Sequence, residues 1–117
     1  MLLDHRVTIK KNYEFKRLYN KGKTAVTPYF VVYTLHRRQN GNRVGFTVSA
    51  KLGKAVVRNR IRRRLREVYR LQADRLTPGH DLIIVARSRA LTADFGVLCH
   101  AFVRACSELG MVKEAEK

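Results

Sequence analysis

The stretch Lys51–Arg70, K-L-G-K-A-V-V-R-N-R-I-R-R-R-L-R-E-V-Y-R, constrains the fold more than any other part of the chain. Val57, Ile61, Leu65, Val68 and Tyr69 fall near i, i+4, i+8, i+11 and i+12, so a helix would gather them into one apolar stripe. Arg58, Arg60, Arg62, Arg63, Arg64, Arg66 and Arg70 cover the remaining surface, and Glu67 is the only acid among them. The spacing predicts a helix with one face in a core and the others turned toward anions.

A charge run is ordinarily a solvated helix face, but such faces mix signs to gain i,i+4 pairs. Here like charges crowd at Arg62–Arg66 and Arg66–Arg70, which disfavours the helix in isolation unless a polyanion neutralises it. Arginine strengthens that reading, because its planar fork binds phosphate bidentately and stacks on bases. A basic amphipathic helix also suits a membrane surface or a calmodulin-type partner. Core packing accounts better for the apolar stripe, and nucleic acid is the leading partner. The balance of 25 Lys and Arg against 9 Asp and Glu, a formal charge of +16, points the same way.

The 117 residues suit one domain with a core of its own. A hydrophobic content of 45% argues for a folded protein over a basic disordered tail. No apolar run reaches the roughly 20 residues of a membrane span, and Met1-Leu2-Leu3-Asp4 does not read as a signal peptide. No membrane association and a cytoplasmic location are therefore expected. Cys99 and Cys106, about two helical turns apart, are expected to be buried free thiols.

Taken in order, residues 12–20 read as a short helix, with Asn12 as N-cap, Gly22 as stop, and Phe15, Leu18 and Tyr19 on one face. Tyr29–Leu35 reads as a strand, central and covered on both sides. Gln39-Asn40-Gly41-Asn42 signals a turn, making Arg43–Ser49 the second strand of a hairpin. One face of that strand is Val44, Phe46 and Val48. The other is Gly45, Thr47 and Ser49, small and polar, suited either to close approach of a ligand or to a sheet edge. Gly53, between Lys51 and Lys54 ahead of the arginine helix, suits a phosphate cradle, though no Walker pattern is present. Leu76–His80 reads as a turn, Asp81–Arg87 as a buried strand, and Phe95–Leu109 as a helix capped by Thr92 or Asp94. The tail Met111–Lys117 is expected to fray. The order α-β-β-α-β-α implies a two-layer domain with helices on a small sheet.

Catalytic chemistry is missing from this pattern. The nine acids are scattered, with no D-x-D or D-x-x-E grouping, and nothing in the sequence brings two of His5, His36, His80 and His100 together. No G-x-S-x-G, H-E-x-x-H or zinc-ligand spacing occurs. The residues read as those of a binding protein without a catalytic centre or metal site of its own.

At Arg58-Asn59-Arg60, with the flanks K-L-G-K-A-V-V and I-R-R-R-L-R-E, the chain closely resembles the "RNR" signature of the protein subunit of bacterial ribonuclease P. K-K-N-Y-E-F-K-R-L-Y-N-K-G is similar to that family's first helix, R-V-G-F-T-V-S-A-K to the strand before the signature, and D-L-I-I-V-A-R to its last strand. The resemblance implies an α+β two-layer sandwich: a mixed four-stranded sheet with helices packed on it. This fold is similar to the second domain of the fifth small-subunit ribosomal protein, with a left-handed βαβ crossover. A fourth strand is then needed, near Ala25–Thr27 or by a split near Phe30.

The resemblance also implies a function. In that family a catalytic RNA, with Mg2+ held mainly by the RNA, removes the 5′ leader of precursor tRNA and leaves a 5′-phosphate. The protein holds the leader in a cleft between its first helix and the sheet. It implies leader contacts at Phe15, Tyr19, Val31 and Tyr33, with Tyr19 standing where some relatives have phenylalanine. It implies contacts to the catalytic RNA at Lys51, Lys54, Arg58, Asn59, Arg60, Arg62, Arg63 and Arg66. The expected partners are ribonuclease P RNA and precursor tRNA, with the protein a monomer inside the complex. A non-catalytic structural RNA-binding protein, ribosomal or of RNA assembly, is the competing reading.

Overall fold

The computed structural model describes residues 8–37 and 41–113. Its order is α1 (Asn12–Lys21), β1 (Lys23–Val26), β2 (Phe30–His36), β3 (Arg43–Thr47), α2 (Ala55–Gln72), β4 (His80–Ala86) and α3 (Phe95–Glu108). The four strands form one mixed sheet ordered β1-β2-β4-β3. β1–β2 and β2–β4 are antiparallel, and β3–β4 is parallel. The strand missing from the periodicity is β1, at Lys23–Val26. Only Ala25 of its four residues is buried, so it offers too short an apolar signal to stand out.

The expected hairpin between residues 29–35 and 43–49 does not form. β4 lies between them, and β3 is an edge strand. Burial explains the insertion. Leu82, Ile83 and Ile84 are buried on both faces of β4, so it needs a neighbour on each side. β3, with one small polar face, tolerates the edge. Gln39 and Asn40 of the expected turn lie outside the described residues. Asn42 instead ties to the Leu76–His80 turn, donating from Nδ2 to the Thr77 carbonyl (3.0 Å) and accepting from the His80 N–H (2.8 Å).

The sheet separates two layers. On one face Phe30, Val32, Val44, Leu82 and Ile84 pack against Ile61, Leu65, Val68 and Tyr69 of α2 and Leu98, Phe102 and Cys106 of α3. The predicted stripe of α2 is thus its core face. Val57 packs at the margin, partly buried. On the other face Ile83 packs with Ile9 and Leu18 beneath α1, flanked by Phe15, Tyr33, Leu35 and Val85.

Helix ends differ in detail from the sequence reading. α1 begins at Asn12 itself, and Lys11 stands at the cap position with no side-chain bond. Asp94 caps α3 by accepting from the Gly96 N–H. Both cysteines are free, Cys106 buried and Cys99 partly so. The tail is not frayed at its start. Met111 is fully buried, Val112 bridges Leu76, and the Lys113 N–H bonds the Arg75 carbonyl at 2.8 Å. Residues 114–117, and the N-terminal Met1–Asp4, lie outside the described residues.

Candidate nucleic-acid interfaces

Helical periodicity lifts Phe15 and Tyr19 onto the side of α1 that meets the sheet, and strand alternation puts Val31 and Tyr33 on the same side of β2. The structure brings these rings together. The Phe15 and Tyr19 centroids are 6.4 Å apart, and Tyr19 meets Tyr33 edge-on at 5.0 Å. Tyr19 is 38% exposed, whereas Phe15 and Tyr33 are half-buried and share the small core beneath α1. Phe15 is therefore both a core residue and part of the aromatic row. Val31 stands two residues from Tyr33, paired across to Val85, which lies on the same face of β4.

Gly45 makes this arrangement possible. A Cβ on it would lie 2.8 Å from Phe15 Cζ, inside contact distance. The small face of β3 is small because α1 presses a ring onto it, and the strand is also an edge. Sequence reasoning missed two residues beside this aromatic row. Thr47 Oγ1 lies 2.6 Å from the Tyr19 hydroxyl, and Val85 pairs across from Val31 and shares the small core with Tyr33. The pattern Gly45-x-Thr47 opposite an aromatic helix face was the available signal for the first. Val85 read only as part of an apolar strand.

The second surface is α2. Its apolar stripe faces the other side of the sheet from the aromatic row, so the two lie on opposite faces. Among the described residues, no ion pair involves Lys51, Lys54, Arg58, Arg60, Arg62, Arg63 or Arg66. Asn59, Arg62, Arg63 and Arg66 line one depression of about 220 Å³. Asn59 Oδ1 accepts from Arg62 at 3.0 Å, which orients that guanidinium, and Arg58 Nε donates to the Gly53 carbonyl at 3.2 Å.

The other two arginines are committed elsewhere. Arg64 donates to the carbonyls of Ala90 (3.1 Å), Leu91 and Ala93, fastening α2 to the segment before α3. Arg70 pairs with Glu67 along the helix. That pair holds the Glu67 carboxyl below its usual range, the bond to Arg70 outweighing the effect of burial.

The start of α2 favours an anion. Lys54 occupies the cap position without a capping bond, and the first turn contains no acid. The exposed N–H groups and the positive end of the helix dipole thus face Lys51, Lys54 and Arg58 with nothing to offset them. Gly53 supplies backbone shape here. Its φ of 140° is a glycine conformation, and its own N–H bonds the Ala50 carbonyl. The cradle for an anion is therefore the helix end rather than the Gly53 amide.

Polar groups under α1 form a third cluster. Asp81, 5% exposed, accepts from Arg37 (3.0 Å) and from two nitrogens of Arg43 (3.0 and 2.9 Å). Arg43 also pairs with Glu14 of α1. The bonds to Asp81 above all, opposed by burial and aided by Glu14, raise the Arg43 pKa further and keep it charged. Two histidines also converge, which no spacing in the chain foretold: the β2–β4 register sets the His36 and His80 rings 5.5 Å apart. No group of three or more His, Cys, Asp or Glu residues that could hold a metal occurs among the described residues. No described helix is long and apolar enough to cross a membrane.

Known proteins are similar to this chain in sequence and fold. The family model for ribonuclease P matches residues 3–110. The ribonuclease P protein component of Natranaerobius thermophilus is 46% identical over 98 residues, covering 84% of this chain and 85% of that protein. That of Caldanaerobacter subterraneus is 38% identical, covering 93% and 94%. The RNase P protein of Staphylococcus aureus superposes with a TM-score of 0.80 at 31% identity, covering 92% of this chain and 98% of that one. The corresponding protein of Thermotoga maritima gives 0.75 at 25% identity, covering 83% and 92%. The match of fold, signature and near-full-length identity means that this chain belongs to the ribonuclease P protein family.

Proposed function

We propose that the chain, as the protein subunit of a tRNA-processing ribonucleoprotein, works through two separate RNA-binding surfaces, one for substrate and one for the catalytic RNA. The aromatic row Phe15, Tyr19 and Tyr33, with Val31 beside it, takes the unpaired 5′ leader of precursor tRNA. Every base offers a π-face, so such a row is tolerant of sequence, and each stack contributes about 1–3 kcal/mol. Lys51, Lys54, Arg58, Asn59, Arg60, Arg62, Arg63 and Arg66 dock the ribonuclease P RNA on the other face of the sheet. The observation that carries this reading is the contiguity of the three rings on the face of the sheet away from the arginine helix α2.

Hydrolysis belongs to the RNA and its magnesium ions in this reading. The protein contributes position and charge. Holding the leader converts part of substrate capture into an intramolecular step, and a +16 chain screens phosphates that crowd the RNA active site. One copy in a cytoplasmic complex suffices.

The test is cleavage of a leader-bearing precursor tRNA at low magnesium by the protein alone, a bacterial ribonuclease P RNA alone, and the two together. Stimulation is expected only in the mixture. Substituting Phe15 and Tyr33 by alanine should weaken binding of leader-bearing tRNA and spare mature tRNA. Equal loss on both substrates would move the weight to a purely structural RNA-binding role.

A further inference from the structure

α1 meets the edge strand β3 at three successive positions. Val44 and Phe46 of β3 face α2 and α3, so Arg43, Gly45 and Thr47 face α1. Each has a counterpart on α1. Arg43, held by Asp81 of β4, pairs with Glu14. Gly45 leaves the space that Phe15 fills. Thr47 bonds the hydroxyl of Tyr19 at 2.6 Å. The helix is thus fastened by polar contacts near both ends, with a ring seated on glycine between them.

The fastening acts on the rings. Tyr19 stands edge-on to Tyr33 at 5.0 Å and is 38% exposed, and the Thr47 bond holds its hydroxyl end. Glu14 is adjacent to Phe15 in sequence, and its pairing with Arg43 fixes the turn of helix from which Phe15 projects.

We infer that Arg43 and Thr47 are positioning residues for leader recognition, setting the height and rotation of α1 so that Phe15, Tyr19 and Tyr33 present one rigid stacking row. This rests on the leader-cleft reading. Neither residue needs to touch RNA. Each acts through a partner on α1, and the gain is pre-organisation: a ring already held loses less freedom when a base stacks on it.

The experiment uses the full chain assembled with a bacterial ribonuclease P RNA, and measures the dissociation constants of precursor tRNA and of mature tRNA. The variants are Glu14→Gln, which removes the charge of the pair that ties α1 to Arg43 while leaving Arg43 on Asp81, Thr47→Val, which removes only the hydroxyl, and Thr47→Ser, which keeps it. Glu14→Gln and Thr47→Val should each cut the preference for precursor over mature tRNA by roughly 3- to 10-fold, the range of one hydrogen bond lost or stripped of its charge. KM for precursor should rise with kcat unchanged, Thr47→Ser should retain the wild-type preference, and affinity for the catalytic RNA should not move. If Glu14→Gln lowers the melting temperature, the comparison of valine with serine at position 47 decides. An unchanged preference in Thr47→Val, or Thr47→Ser behaving like valine, overturns the inference while leaving the leader reading intact. A wild-type complex that does not distinguish precursor from mature tRNA overturns the leader reading, and this inference with it.

Discussion

Arg63 and Arg64 are neighbours in the chain with opposite uses. Arg63 is exposed in the basic depression, whereas Arg64 reaches three backbone carbonyls before α3. Carbonyls left without that donor would be partly buried and unpaired. Arg64→Ala should therefore destabilise the fold by about 1–3 kcal/mol in urea denaturation. Arg63→Ala should leave stability unchanged, weaken RNA binding, and lower the slope of log K against log salt by about 1. Equal stability of the two variants would contradict the assignment. Spacing did separate the apolar stripe from the arginines, but not one arginine from another, because no sequence term records which carbonyls end up beside the helix. Phe15 makes the same point: its helical face was legible, its dual place in the small core and in the aromatic row was not.

At the level of elements, the instructive cases are β3 and the tail. Asn-Gly beside alternating apolar residues predicts a hairpin locally. The sheet order is set instead by β4, whose buried residues on both faces claim the interior position. The charged composition of the last residues predicted fraying from Met111 onward, yet Met111 fills the core between Leu76 and α3 and is fully buried. Met111→Ala should cost about 2–5 kcal/mol of stability, as other large-to-small core changes do. A loss within about 0.5 kcal/mol, the range of surface substitutions, would mean that this end of the chain contributes no core.

For the whole molecule, the sheet works as a partition, with the row Phe15, Tyr19 and Tyr33 on one side and the arginine helix α2 on the other. Its stability should have two pH limits. Burial, and then the neighbouring His36, lower the His80 pKa below its ordinary value of 6.5. The unfolded chain then binds a proton that the folded one resists, so stability falls as pH drops below about 6.5. Burial pushes the Tyr69 hydroxyl up to about 12 and the Cys106 thiol up to about 12. Both groups keep their protons in the fold after the unfolded chain has lost them, so stability falls again as pH rises through about 9 to 12. Urea midpoints measured against pH should show both limbs. His80→Gln should flatten the acid limb and Tyr69→Phe the alkaline one; unchanged limbs in these variants would refute the assignments.

The sequence by itself determined the elements whose signal is local: the arginine helix and its core stripe, the buried strand after Gly79, the capped last helix, and an R-N-R signature specific enough to carry the family. The resemblance that this signature carries named the residues proposed here for leader and catalytic-RNA contact. Only the tertiary structure decided what depends on distant neighbours. The interior place of β4, the Tyr19–Thr47 bond, the Arg43 bridge from β4 to α1 and the His36–His80 contact all join residues far apart in the chain. Periodicity reports which face a residue occupies. The partner on the other side of that face is chosen by burying the most apolar strand and satisfying the charges around it, which is a property of the packed chain.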